Sequence, residues 1–278
     1  MEKLISGNIK KRSVQDRKAL LVRTVFIIVG IALWEMLARN NIKIAFYTSF
    51  PSAIITNLLE FALSGELFRH AFITLREAYL GLLYGTVAGI VLGVIFSQFP
   101  TTGRIFVPVI AAVQGIPQLT LAPLYILWFG IGLKSKVALA ALMVFFNVFF
   151  ATYNAIKNID QKLIESATLL GAGKTQILWH VVIPTSMPWI MTGVRIGASI
   201  CMVGAIIGEY IGAAGGLGYM VTYASSFFQI DRVMACIAVL LVIGLLVTTI
   251  LERVERYLLR WRSETNLTIN SGKTAGAN

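Results

Sequence analysis

Apolar runs of bilayer-spanning length recur along almost the whole of this 278-residue chain, and they exclude most folds otherwise open to it. A helix needs ~20 mostly apolar residues to cross a bilayer. Six segments read as such spans, at about 20–38, 70–97, 105–130, 136–156, 187–210 and 233–259. The third is interrupted by Gly115, Pro117 and Pro123, breaks that a membrane tolerates where neighbours re-satisfy the freed backbone groups. Hydrophobic residues make up 57% of the chain and charged residues 13%, about half the charged share of a soluble domain. The fold class that follows is an all-α polytopic membrane protein with about six transmembrane helices. The first span follows a basic tail and is too long for a signal-peptide core, so it is expected to be retained.

The formal charge of +11 does not indicate nucleic acid here, because in a membrane protein Lys and Arg set topology. With the N-terminus on the cytoplasmic side, Lys3, Lys10, Lys11, Arg12, Arg17, Lys18, Arg23, Arg104, Lys157, Lys162, Lys174, Arg253, Arg256, Arg260, Arg262 and Lys273 all fall inside. Arg39, Lys43, Arg69, Lys134, Lys136 and Arg232 fall outside. That excess predicts a multi-pass protein of the cell (inner) membrane with both termini cytoplasmic. The expected organisation is a tail, first span and external surface segment over 1–69, a core over 70–262, and a flexible cytoplasmic tail over 263–278. Ser52, after Pro51, reads as the cap of an amphipathic external stretch reaching about Leu67. Gly81, Gly85, Gly89 and Gly93 recur every fourth residue on the second span, a spacing that lets helices approach closely.

Polar side chains at membrane depth are costly and often line a path. Gln114, Gln118, Asn147, Asn154, Arg76, Glu77, Arg195 and Glu209 fit that description. Gln114 and Gln118 flank the broken span, Arg76 and Glu77 suit pairing with charges on neighbouring helices, and Arg195 suits snorkelling or a tie to the adjoining loop. Glu209, with Gly216 and Gly218 in the following turn, suits an outer gate. His70 reads as structural, and Cys201 and Cys236 as small core residues. No paired carboxylates, nucleophilic triad or metal-ligand spacing is visible, so neither catalysis nor a cofactor is expected of this chain.

One polar segment breaks the apolar pattern, at 157–186. Asp160 can cap a short helix to Leu170, with Leu163, Ala167 and Leu170 along one side. Gly171 and Gly173 can end it. Thr175 can cap a second short helix, which Pro184 would stop. Two short helices with a mixed polar and apolar surface predict a rigid knob for a groove on a cytoplasmic partner. Gly173-Lys174-Thr175 looks like the end of a nucleotide-binding loop, but Thr168 stands where that motif needs glycine and no strand precedes it, so the chain is not expected to bind ATP.

Glu165-Ser166-Ala167, Gly171, Val181, Ile183 and Pro184 stand in the register of the EAA loop of type I ABC importer permeases. Ser166, Val181 and Ile183 depart from that pattern by small changes of volume. Phe50-Pro51-Ser52, Ser64-Gly65, Thr74-Leu75-Arg76, Leu121-Ala122-Pro123-Leu124, Trp128-Phe129-Gly130-Ile131-Gly132, Ser135-Lys136 and Gly215-Gly216-Leu217-Gly218 resemble permeases for nitrate, sulfonate and taurine. That subfamily also includes permeases proposed for thiamine-precursor pyrimidines and riboflavin. The resemblance implies ATPase subunits docked on the loop, an extracytoplasmic substrate-binding protein outside, and a second permease copy completing the pore as a homodimer in the lipid bilayer. A self-sufficient secondary transporter would instead show inverted repeats and a charged midplane ion site, and an intramembrane enzyme a catalytic cluster; neither pattern stands out.

Overall fold

The computed structural model describes the backbone of residues 2–260 and the side chains of residues 21–260. The expected tail 263–278 lies outside the described residues. Twelve α-helices run in chain order among them: α1 Glu2–Asn40, α2 Ile42–Thr48, α3 Pro51–Leu63, α4 Glu66–Gln98, α5 Pro100–Gln114, α6 Ala122–Phe129, α7 Leu133–Lys157, α8 Gln161–Leu169, α9 Lys174–Ile177, α10 Ile183–Gly212, α11 Leu217–Ser226 and α12 Ile230–Leu258. Five helical stretches are long and apolar enough to cross a membrane: Leu21–Asn40, Glu66–Gln98, Leu133–Lys157, Lys174–Gly212 and Ile230–Leu258. Between α5 and the short 3-10 turn leading into α6 the axis bends by 86°, at the glycine and proline the sequence places there.

The chain forms two compact units, one of residues 1–74 and 213–241, the other of 75–212 and 242–278. In the first unit, Glu35 at the end of α1 holds the start of α3. Its carboxylate accepts the Ser52 N–H at 3.0 Å and the Ser52 hydroxyl at 2.8 Å, filling orphan donors at a helix N-terminus. Ser52 is therefore the second residue of α3 rather than its cap, because Pro51 occupies the first helical position and leaves Phe50 as the cap. His70 Nδ1 accepts the Gly216 N–H at 3.0 Å, and Thr74 Oγ1 accepts the Leu217 N–H at 2.8 Å, so α4 caps the turn before α11. The Arg232 guanidinium lies 4.4 Å from the centre of the Phe61 ring and donates to Asn57 Oδ1.

The second unit is built on the contact of α4, α7 and α10. A Cβ added at Gly81 would meet Ala140 Cβ at 2.5 Å, at Gly89 Val148 Cβ at 2.9 Å, and at Gly93 Thr152 Cβ at 2.7 Å, while at Gly85 it would run into the Ala141 carbonyl oxygen. Both series advance together, so α4 and α7 run in the same direction. The segment between them must then carry the chain back across the same thickness, which makes the bent α5–α6 stretch a full crossing rather than a loop that dips in and returns. On the other face of α7, Gly193 of α10 packs on Ala151 and Gly208 on Lys136, an opposite progression that makes α10 antiparallel. Cys201 is buried in this packing, and Cys236 is buried in the first unit.

Two charged residues sit differently from the sequence expectation. Lys136 is not in an external loop: it is 5% exposed on the first turn of α7, and its Nζ meets Glu77 Oε1 of α4 at 2.6 Å. Removing one member of such a buried pair leaves an uncompensated charge and costs about 3–5 kcal/mol. Arg195 ties α10 to Glu255 of α12 at 3.4 Å rather than to the loop. Along the glycine face, Gly85→Ala is expected to lower the thermal unfolding midpoint in detergent, by overpacking worth about 1–3 kcal/mol. Gly30→Ala, where an added Cβ meets nothing within 4 Å, leaves that midpoint in place.

Candidate functional site: the polar loop between α7 and α10

The loop begins where α7 gives way at Asn158 and Ile159. The Asp160 carboxylate then accepts the Lys162 N–H at 3.0 Å, and α8 runs over Gln161–Leu169 as its spacing predicts. Its end is a full Schellman cap. Gly171 N–H donates to the Thr168 carbonyl at 2.9 Å and Ala172 N–H to the Ala167 carbonyl at 3.1 Å. The cap requires a left-handed residue, and Gly171 has φ +86.

The second half departs from the expectation. Gly173, not Thr175, is the N-cap of α9, and the Gln176 side chain reaches back to accept the Gly173 N–H at 2.8 Å. Nor does Pro184 stop the helix. Leu178–Val182 forms one π turn, in which the Ile183 N–H donates to the Leu178 carbonyl, and the helix then continues through Pro184 to Gly212. A proline ring clashes with the carbonyl four residues back and lacks a donor. A wider turn just before it absorbs both effects and keeps the rod continuous.

The motif residues fall into two groups. Glu165 and Ser166 are exposed and Ala167 half-buried on α8, while Val181, Ile183 and Pro184 are half-buried where the rod enters the bundle. Helix α8 packs back on α9 and on the π turn, so the two groups belong to one folded knob. At its tip Leu169 and Leu170 are 89% and 88% exposed, and Trp179 is exposed nearby. The caps at both ends of α8 thus hold two neighbouring apolar side chains out in solvent. The two leucines were legible in the sequence only as members of a helical face.

The polar residues expected along a path are spread over the fold. Gln114 is exposed at the end of α5. Gln118, in the bend, donates from Nε2 to the Ile116 carbonyl at 3.0 Å, and its Oε1 is buried without a donor. Asn147 is half-buried and donates to the Met143 carbonyl at 2.9 Å; Asn154 and Arg76 are exposed. Glu209 is 1% exposed, on α10 beside Glu77 and Lys136. Gly216 and Gly218 are buried in the first unit, where His70 holds the turn, a structural role as its interface position predicts. Lys136 was missed as a partner for Glu77; its place inside an apolar run, at the very start of a span, was the available signal.

A multi-span helical bundle with a capped polar loop is the architecture of a membrane-embedded transport subunit. Residues 85–261 match the family of binding-protein-dependent transport system inner membrane components, and the chain belongs to that family: it is the permease subunit of an ABC importer. It is 32% identical to the putative aliphatic sulfonates transport permease protein SsuC of Bacillus subtilis, over 92% of each chain. It is also 32% identical to the taurine transport system permease protein TauC of Escherichia coli, over 95% of this chain and 97% of that one. Among solved structures, the inward-facing MetNI methionine ABC transporter shares its fold, with a TM-score of 0.63 at 19% identity, covering 71% of this chain and 98% of that chain.

The caps predict a mutational contrast. Gly171→Ala forces a left-handed alanine and is expected to cost about 1–2 kcal/mol locally, seen as faster amide hydrogen exchange across 167–173. Gly173→Ser, at an extended backbone angle and a favoured capping position, leaves exchange unchanged or slower.

Proposed function

We propose that this permease imports a small sulfonate or taurine-like anion, delivered by an extracytoplasmic binding protein and driven by ATPase subunits that dock on the α8–α9 knob. The observation that carries the docking reading is the bare Leu169–Leu170 tip on a doubly capped, rigid loop. The solute class rests on the sulfonate and taurine permeases that the chain resembles at 32% identity over nearly its whole length.

Two copies form the pore, since one chain carries one coupling loop. Both termini and the knob lie on the cytoplasmic side of the inner membrane. Lys and Arg abundance on that side supports the orientation, as does the parallel course of α4 and α7, which requires a crossing between them. Gln114, Gln118 and Asn147 line the path with Arg76, while Gly216 and Gly218 shape its outer end. Glu209 belongs to the same outer half. Glu165, Ser166, Ala167 and Gly171 meet the ATPase, while Val181, Ile183 and Pro184 pass its motion into α10. Closure of two ATPase subunits moves two knobs together, and each continuous α9–α10 rod carries that movement into the bundle.

The test is reconstitution with the ATPase and binding protein in liposomes. Taurine or an alkanesulfonate is expected to enter only when ATP and the binding protein are both present; uptake without an ATPase overturns the reading. Leu170→Asp, at a site too exposed to alter the fold by more than ~0.5 kcal/mol, is expected to abolish co-purification of the ATPase.

A further inference from the structure

The first unit contains a pocket of about 330 Å³ that the transport reading does not use. That volume lies at the lower end of small-molecule sites, about 300–1,000 Å³. Phe46 of α2, Asn57 of α3, Phe228 and Gln229 of the turn after α11, and Asp231 and Arg232 of the first turn of α12 line it. The apolar span Leu21–Asn40 ends just before α2, and the span Ile230–Leu258 begins at the pocket itself. The pocket therefore stands at the level where a span meets the lipid headgroups.

Two backbone irregularities build its walls. Ser49 takes φ 56 and ψ −167, a region otherwise kept to glycine. It is buried, and its hydroxyl donates to Asp231 Oδ1, which ties the end of α2 to the start of α12. Phe228, at φ 56, fills the left-handed place of a Schellman cap. Its N–H donates to the Ser225 carbonyl at 3.1 Å, and the Gln229 N–H to the Ala224 carbonyl at 2.9 Å. Glycine is the usual residue there. The phenylalanine in its place stacks an exposed ring on Phe46, with 6.1 Å between ring centres.

The charges along the pocket are left open. Arg232 donates from Nε to Asn57 Oδ1 at 2.8 Å. Among the described residues its two Nη groups donate to nothing, and neither Arg232 nor Asp231 forms an ion pair. Asp231 is exposed, and the Ser49 hydroxyl is the one donor to its carboxylate among the described residues. A guanidinium with an open fork suits a tetrahedral oxyanion. A carboxylate suits an ammonium, and so do the faces of aromatic rings. A bare anion would meet Asp231 and a bare cation Arg232, whereas a zwitterion satisfies both.

We propose that this pocket holds the headgroup of an ethanolamine phospholipid, with the phosphate on Arg232 and Asn57 and the ammonium on Asp231 and the Phe46 and Phe228 rings. A free aminoethyl phosphate or sulfonate carries the same two charges. The lipid is favoured because the pocket adjoins the ends of two spans, whose apolar sides take acyl chains.

Native mass spectrometry of the full-length permease in detergent tests this, with dioleoyl-phosphatidylethanolamine, dioleoyl-phosphatidylglycerol and free phosphoethanolamine each added at equal concentration. The wild type is expected to hold the ethanolamine lipid about fivefold more tightly than the glycerol lipid, the size of one partly exposed charge pair, and to leave free phosphoethanolamine unbound. Asp231→Asn, which keeps an oxygen for the Ser49 hydroxyl, is expected to erase the preference while both lipids still bind. Arg232→Gln is expected to weaken both lipids. A wild type without the preference, or an Asp231→Asn protein that keeps it, overturns the proposal. Free phosphoethanolamine binding as tightly as the lipid overturns the lipid as occupant. Asp231 is exposed, so its variant folds and decides the matter even where Arg232→Gln does not.

Discussion

The close approach of α4, α7 and α10 is the constraint on which the second unit depends. Lipid tails offer no hydrophobic gain when two helices meet, so association must come from packing and polar contacts. Glycines facing Ala140, Val148 and Thr152 on one side of α7, and Ala151 and Lys136 on the other, bring three backbones close enough for dispersion to act along the whole contact. The same closeness buries the Glu77–Lys136 pair and brings Glu209 to it. The directions of the helices then follow, and with them the conclusion that the sharply bent α5–α6 segment crosses.

The knob solves a different problem. It has little core of its own, so its rigidity comes from backbone capping: Asp160 at one end of α8, the Schellman cap at Gly171 at the other, and Gln176 over the Gly173 N–H. These hold Leu169 and Leu170 outward although each would be more stable covered. Behind the knob, the π turn at Leu178–Val182 lets a proline-containing helix continue without a break from α9 into α10. A stiff tip thus runs directly into an unbroken rod.

Much of this was legible in the sequence because the signals are local. Span lengths, the Asp160 cap, the glycine stop at Gly171 and the four-residue glycine repeat each depend on residues within a turn or two. The errors were also local rules overridden by context. Pro184 reads as a stop until a wider turn relieves its clash. Ser52 reads as a cap until Pro51 takes the first helical position, which leaves Phe50 as the cap and the Ser52 N–H to Glu35, distant in sequence. Lys136 reads as a topology charge until α4 supplies a carboxylate.

By itself, then, the sequence determined that the chain is a helical membrane protein, where its long spans lie within a few residues, and that one structured polar loop carries a family motif, since composition and short-range periodicity encode all three. Which spans touch, in which direction they run, which charges are paired inside and which leucines remain bare were decided only by the tertiary structure. Those depend on contacts between residues tens of positions apart, such as Glu77 with Lys136, for which no local pattern exists.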